Sequence, residues 1–320
     1  MKKLLVCLVM LLSCFVIVGC NNSDVKTIGI LQPVTHEALD KAREGFIDAL
    51  KEAGLEEGKD IKIIVNNAQG SDSDLGLMAK SLVSKCDITL GIGTGAAQAL
   101  KAQEEKIGST NPLLFTAVTD PVDAKLVSSL TNPGSFVTGT SDMNPVSDQI
   151  ALVKKYIPEA DKIGVFYTAS ETNSAVQAEM AKKEAEKEGI EVIVATATDA
   201  TDLQQSLRKL CATEGLDALY IPTDNVVAAN MNAVKSVVNE YSILTVCGEE
   251  SIMNAGGHIT LSVDYYMLGK RVGEMAVQII KEGKEPSSIP VGVMTASECK
   301  FAFNEENIKA AKLEHLNIGK

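Results

Sequence analysis

From Thr27 to Val246 the chain alternates short apolar runs with single helical segments, in two series of four runs each. The first series is read as strands over Thr27–Leu31, Ile61–Val65, Ile88–Ile92 and Leu113–Ala117. Between them lie helices over Glu37–Ala53 and Asp72–Val83 and one opening at Ala96–Ala102. The second series begins with a helix at Ile150–Tyr156. It continues with strands Lys162–Tyr167, Glu191–Val194, Ala218–Ile221 and Ile243–Val246, separated by helices Ser174–Glu188, Leu203–Leu210 and Val226–Glu240. In the first helix Ala38, Leu39, Ala42, Phe46, Ala49 and Leu50 recur at helical spacing, and Gly54 stops it. Short apolar strands separated by single helices indicate parallel sheets covered on both faces.

Two series imply two lobes, and 320 residues exceed what one core accommodates comfortably. Aromatic residues make up only 4% and tryptophan is absent, so Val, Ile, Leu, Ala and Met must build the cores. Leu268–Lys281 is an amphipathic helix belonging to neither series. Ile289–Val293 and Lys300–Phe303 read as short late strands, the first placed at an edge by Pro290. Such late elements suit a chain that crosses between lobes more than once. The expected fold is α/β, with two doubly wound parallel-sheet lobes joined by a three-strand hinge. Lobe one comprises 27–143 with about 265–296, and lobe two 144–264 with about 297–320.

The N-terminus sets the compartment. Lys2 and Lys3 precede an almost unbroken apolar stretch from Leu4 to Val18. That stretch is too short to cross a ~30 Å hydrocarbon layer comfortably as a helix and reads as a secretory signal over residues 1–19. It ends in Ile17-Val18-Gly19-Cys20, followed by the polar Asn21–Asp24. A small residue before the cut and a thiol after it resemble a bacterial lipobox. Cys20 is then the lipidated first residue of the mature chain, with 20–26 as a tether. The protein is expected outside the cytoplasm, on the outer face of the cell membrane or in the periplasm.

Loss of Lys2 and Lys3 with the signal takes the formal charge from −12 to −14. An acidic body repels nucleic acid and anionic membrane surfaces, and no basic patch with interleaved aromatics offsets that. Of seven cysteines, Cys7 and Cys14 leave with the signal and Cys20 is the anchor. Cys86, Cys211, Cys247 and Cys299 are widely spaced, form no CxxC or Cys/His cluster, and read as free buried thiols. No metal and no cofactor are expected.

In open parallel sheets ligands bind beyond the carboxyl ends of the strands, where loops meet helix N-termini. The candidate positions are therefore Gly93–Gln98, Val118–Val122, Gly139–Met143, Thr168–Ser174, Pro222–Asn225, Gly248–Ser251 and Ser262–Tyr266. Hydroxyls and free backbone N–H groups suit a carboxylate, while Asp and Asn suit an ammonium, so the pattern describes a zwitterion such as an α-amino acid. Thr94, Ser174 and Thr223 each precede a helix, where capping alone would explain them at about 1 kcal/mol apiece. His36, in a loop before a helix, reads as a loop hydrogen bond rather than a metal ligand or catalyst.

The stretches Phe115–Pro121, Gly139–Asp142, Pro222–Asn225 and Asp264–Gly269 resemble the ABC-transporter substrate-binding family that includes the tryptophan-binding lipoproteins of Gram-positive bacteria. Leu31-Gln32, His36, Ala38–Asp40 and Ala42–Phe46 fit the same family, and the likeness runs from roughly Thr27 to Pro290. The resemblance implies a type I periplasmic-binding fold that closes around its ligand, an ABC permease as partner, and ligands such as aromatic amino acids. It places the ligand carboxylate at Thr94, Gly95 and Ala96, with Ser141, Asn173 and Ser174 assisting. It assigns the ammonium to Asp224, Asn225 and Asp264, and the lobe-one wall to Gln32, Thr119 and Asp120. Pro33 stands where related sequences commonly carry an aromatic residue, which favours tyrosine or phenylalanine, or an aliphatic amino acid, as readily as tryptophan.

The resulting expectation is a monomeric solute-binding lipoprotein that feeds an importer. Alternatives are a sensor or surface adhesin on the same fold and, more remotely, an enzyme. The sequence carries no G-x-S-x-G, Walker A or HExxH motif, and Gly91–Gly95 falls short of a dinucleotide fingerprint.

Overall fold

The computed structural model describes residues 25–319. The signal segment and Cys20 lie outside them. Two six-stranded sheets organise the chain. The first contains β1 (Lys26–Gln32), β2 (Ile61–Asn67), β3 (Ile88–Ile92), β4 (Leu113–Val118), β5 (Val137–Ser141) and β11 (Gly292–Val293), in the order β11-β5-β4-β3-β1-β2. Every pairing in it is parallel. The second contains β6 (Lys162–Thr168), β7 (Glu191–Ala197), β8 (Ala218–Ile221), β9 (Leu244–Cys247), β10 (Ile259–Ser262) and β12 (Lys300–Phe303), in the order β12-β10-β9-β8-β6-β7. Only β12 runs antiparallel there.

Helices cover both faces of each sheet, which is why the strands are buried rather than alternating. In lobe one, α1 (Glu37–Glu52) and α10 (Tyr265–Glu282) pack with Ile28, Ile30, Leu90 and Leu114 on one face. On the other face α2 (Asp72–Val83) and α3 (Thr94–Ile107) pack with Leu31, Leu113 and Phe115. In lobe two, α4 (Val146–Tyr156), α5 (Thr172–Lys187) and α11 (Glu305–Ala310) cover one face. There α6 (Leu203–Cys211), α7 (Asn225–Ala229), α8 (Met231–Tyr241) and α9 (Glu250–Ala255) cover the other.

The bulk of lobe two lies between β5 and α10, and α10 returns to lobe one. Its return is fixed by glycines at the α1–α10 crossing. A Cβ on Gly269 would lie 1.9 Å from the Ala42 carbonyl oxygen, and one on Gly45 2.0 Å from that of Tyr266. Only hydrogen fits at either point, so the helices meet backbone to backbone. The chain then leaves lobe one after β11 and ends in lobe two through β12 and α11, giving three crossovers.

Four elements that differ from the sequence expectation are informative. The helix expected over Val226–Glu240 breaks at Asn230, whose side-chain Nδ2 donates to the Val226 carbonyl at 2.8 Å. The strand expected over Ile289–Val293 shrinks to β11, because Pro286–Ser288 forms a 3₁₀ turn just before it. Strands β5 and β10 had no apolar signature to announce them. Their threonines are buried, and the hydroxyls are satisfied internally: Thr140 Oγ1 donates to Thr116 Oγ1 at 2.8 Å, and Thr260 Oγ1 to the Cys247 carbonyl at 2.7 Å. The four cysteines are free thiols, with Cys299 only half-buried. Among the described residues, no helix is long and apolar enough to cross a membrane, and no group of three His, Cys, Asp or Glu is placed to hold a metal.

Candidate ligand-binding cleft

Lobe one meets the cleft with the start of α3. Gly93 takes φ 90° as its N-cap and offers no side chain to the helix. The amides of Thr94, Gly95 and Ala96 therefore find no acceptor among the described residues, the first being Ala97, which donates to Gly93. The Thr94 hydroxyl is buried and also unpartnered. Unpaired N–H groups and the positive end of a 14-residue helix make this point electropositive without any cationic side chain. The Gly93 amide donates to Thr116, which sets α3 beside the end of β4. There the pairing with β5 is irregular and Ala117 adopts φ 55°, turning Ala117–Thr119 toward the cleft.

Lobe two answers with carboxylates and amides. Asn225 Nδ2 donates to Glu171 Oε2 at 2.9 Å. The same Asn225 amide faces Gly93 across the cleft, 3.9 Å from where a Cβ on that glycine would lie. His36 of lobe one reaches across as well. Its Nε2 is 3.1 Å from Asn225 Oδ1, and its Nδ1 is 3.8 Å from Glu249 Oε1. A polar seam joins the lobes deeper in. Thr119 Oγ1 and Thr223 Oγ1 are 3.4 Å apart, and Gln177 Nε2 donates to both.

Two connected cavities result. The outer one, of about 650 Å³, is walled by the loops after β1, β2, β6, β7 and β8 and by Gly95 and Gln98 of α3. The inner one is lined by Leu39, Ala117, Thr119, Asp142, Asn173, Thr223, Asp224, Asn225, Glu249 and Tyr265. Asn173 and Asn225 line both. Neither wall contains lysine or arginine, whereas Asp72, Asp142, Glu171, Asp199, Asp224 and Glu249 all contribute. Burial pushes the Asp142 carboxyl up to about 6. Burial also raises Glu249, while burial and the charge of Asp224 raise Glu171.

The nominated residues divide. Thr94, Gly95 and Ala96 carry the free helix start, and Thr119, Asn173 and Asn225 stand at the cavities. Ser174 is buried behind them, its hydroxyl donating to the Thr223 carbonyl and lying 3.0 Å from Asp224 Oδ2. Gln32 is buried in its own loop, with Nε2 on Val34 and Asp40 and its oxygen on Arg43. Ser141 and Asp120 line an adjoining hollow of about 410 Å³ that shares Thr119 with the inner cavity, and Asp120 holds the amides of Val122 and Asp123.

Of the three ammonium candidates, the two carboxylates have other partners. Asp224 caps α7 through Val227 and also accepts from the Thr168 amide and hydroxyl and from Ser174. Asp264 caps α10 through Met267, sits 3.7 Å from Lys300, and faces a third hollow beside Lys41 and Tyr266. The capping expected of Thr94, Ser174 and Thr223 thus falls to neighbouring residues: Gly93, Glu171 and Asp224 hold the N-cap positions. Asp142, Glu171, Glu249 and Tyr265 lie within the candidate strand-end stretches but were given no role at the ligand's charged ends, and His36 was read as a loop hydrogen bond.

Residues 27–315 match the sequence model of the family described as ABC transporter substrate binding protein. A curated relative from Clostridioides difficile (strain R20291), named tyrosine-binding protein, is 38% identical over 298 residues, covering 93% of this chain and 84% of its own. Among solved structures, the ABC domain from Streptococcus pneumonia in complex with L-Trp is 31% identical, with a TM-score of 0.83 over 90% of this chain and 95% of that one. The ligand-free, open structure of a Clostridium difficile substrate-binding protein with adhesive properties is 36% identical. Its TM-score is 0.68 over the same shares. The greater likeness is to the ligand-holding structure despite its lower identity, in line with lobes that touch across the cleft here.

Proposed function

We propose that this chain, which belongs to the ABC transporter substrate-binding protein family, captures an α-amino acid between its lobes and presents it to an ABC importer, with an aromatic side chain favoured. The observation that carries this reading is the polarity of the cleft. One wall offers unpaired helix N–H groups, and the other walls offer carboxylates without a lysine or arginine among them. A purely anionic ligand would meet uncompensated buried carboxylates, and a purely cationic one would leave the helix start unanswered. A zwitterion satisfies both. An outer cavity of about 650 Å³ has room for an aromatic ring beside Pro33, Leu75 and Val226. The relatives named for tyrosine and solved with L-Trp support the aromatic preference.

Binding proceeds by closure. The carboxylate seats on Thr94, Gly95 and Ala96, and Asn225 and Asn173 complete the cage from lobe two. Because the ligand touches both lobes only when they meet, it shifts the population toward the closed form. The mature chain works as a monomer, held to the outer face of the membrane by a lipid on Cys20. Replacing Cys20 by Ala should move the protein from the membrane fraction to the soluble one.

A thermal-shift screen of residues 20–320 against the twenty amino acids and common nucleosides tests the reading. A ligand at one hundred times its Kd stabilises by about 2.7 kcal/mol, so an aromatic amino acid should raise the melting temperature by several degrees. A rise with a nucleoside and none with any amino acid would overturn it.

A further inference from the structure

The carboxylates in and near the cleft are not equally free. Asp224 directs both of its oxygens to lobe two's own donors, and Asp264 lies at a different hollow. Glu171 is half-buried and holds Asn225 in place. Asp142 differs from all three. It is 3% exposed, at the end of β5 where the first crossover begins. Its Oδ2 accepts from the Tyr265 hydroxyl at 2.6 Å, and its Oδ1 has no partner at all while the residue lines the inner cavity. A buried carboxylate oxygen without a donor costs several kcal/mol unless something arrives to fill it.

The surroundings say what would fill it. Glu249, also buried, lines the same cavity, and its Oε1 takes the Ser251 hydroxyl at 2.5 Å with His36 nearby. Lysine and arginine are absent from the cavity wall. The α3 start stands beside this point, because Gly93 is bonded to Thr116, one residue before the cavity-lining Ala117. A donor group joined through one carbon to a carboxylate on α3 is thereby directed to the side of the cleft on which the inner cavity and Asp142 lie.

We infer that Asp142, oriented by Tyr265 and backed by Glu249, is the seat of the ligand's ammonium group, in place of Asp224 or Asp264. The inference rests on the amino-acid reading above and adds the residue on which discrimination for the amino group depends. Tyr265 is the positioning residue: it occupies Oδ2 and leaves Oδ1 to the ligand. Because Asp142 and Tyr265 begin two different crossovers, filling Oδ1 also ties the ligand to the hinge.

Calorimetric titration tests this with the tightest-binding of L-tyrosine, L-phenylalanine and L-tryptophan and with its des-amino acid, which keeps the ring and carboxylate. The wild-type chain should prefer the amino acid by about thirtyfold or more, as expected for one charge-assisted contact in a buried site. Asp142→Asn should lose most of that preference and leave affinity for the des-amino acid nearly unchanged, and Asp264→Asn should keep it. Tyr265→Phe, which retains the carboxylate but frees it to turn, should lower the preference by less than Asp142→Asn does. It provides the reading if Asp142→Asn does not fold. Undiminished preference in Asp142→Asn, or in Tyr265→Phe where that is the variant available, overturns the inference and leaves the amino-acid reading standing. Loss of the preference in Glu171→Gln or Asp264→Asn instead overturns it in the same way. A wild-type chain that binds none of the three amino acids overturns both.

Discussion

Lobe one and lobe two repeat the same strand order, five parallel-wound strands with a late sixth at the edge, yet they present different groups to the cleft. Lobe one supplies the backbone of a glycine-capped helix whose first amides are unpaired, with Asp72 and Asp142 as its acids. Lobe two supplies side chains: Glu171, Asp224 and Glu249, with Asn173 and Asn225 among them. Its α7 is capped by Asp224, as α10 of lobe one is by Asp264, so the helix-start geometry that is open at α3 is closed at both. A pair of similar folds becomes a zwitterion trap by leaving one helix start uncapped and gathering acid around it, from lobe two and from Asp142 at the end of β5.

The comparison breaks most visibly at Asp224. Asp224→Ala strands the Thr168 amide and hydroxyl and the Val227 amide in a buried place. At about 1–3 kcal/mol for each unsatisfied donor, lobe two should lose more than about 3 kcal/mol of stability by thermal unfolding, with binding lost as a consequence. On the opposite wall, Thr94→Pro removes an N–H and a hydroxyl at the first helical position, where proline is tolerated. Calorimetry should show affinity falling by about ten- to a hundredfold, roughly 1.4–2.7 kcal/mol, with the melting temperature of the free protein nearly unchanged. A stability loss on the lobe-one side, or a pure binding loss on the lobe-two side, would reverse the division of labour proposed here.

A smaller effect is expected at His36, which belongs to lobe one but finds its partners, Asn225 and Glu249, in lobe two. His36→Ala removes a contact that exists only when the lobes meet. It should weaken binding about threefold, under 1 kcal/mol, and shift the free protein toward a more extended form in scattering. The smallest effect concerns the far end of α3. Glu104 is fully buried, neither of its carboxylate oxygens has a partner, and burial raises its pKa. A raised folded value means the unfolded chain releases this proton first. The neutral side chain therefore suits the fold below the unfolded pKa near 4.3, and the advantage is lost as pH rises above it. Glu104→Gln should raise stability by up to about 1 kcal/mol at pH 7 and by little at pH 4, without touching affinity. A change in binding would mean that the two ends of α3 are not independent.

Much of this architecture was legible because buried parallel strands announce themselves as runs such as Ile88–Ile92 and Leu113–Val118. The free start of α3 was legible too, since Gly93-Thr94-Gly95 follows a strand directly. What escaped were strands built from threonine. Val137–Ser141 hides its polar groups by pairing Thr140 with Thr116 and Thr138 with the Ile289 carbonyl, contacts between segments far apart in sequence. Asp142 at its end lay within a candidate stretch, but nothing in the sequence distinguished it from Ser141 beside it. The roles of Asp224 and Asp264 escaped for a related reason. A carboxylate that caps a helix and one that awaits a cation look alike in sequence, and only the count of donors around each oxygen separates them.

The central claim is that one small molecule bridges a donor wall and an acceptor wall, and that neither end suffices alone. Small-angle scattering on the mature chain tests it with an aromatic amino acid, its decarboxylated amine and its des-amino acid, each at the same millimolar concentration. The radius of gyration should contract with the amino acid and stay at the ligand-free value with the amine or the acid. Equal contraction with either one-ended analogue, or none with any amino acid, would contradict the account.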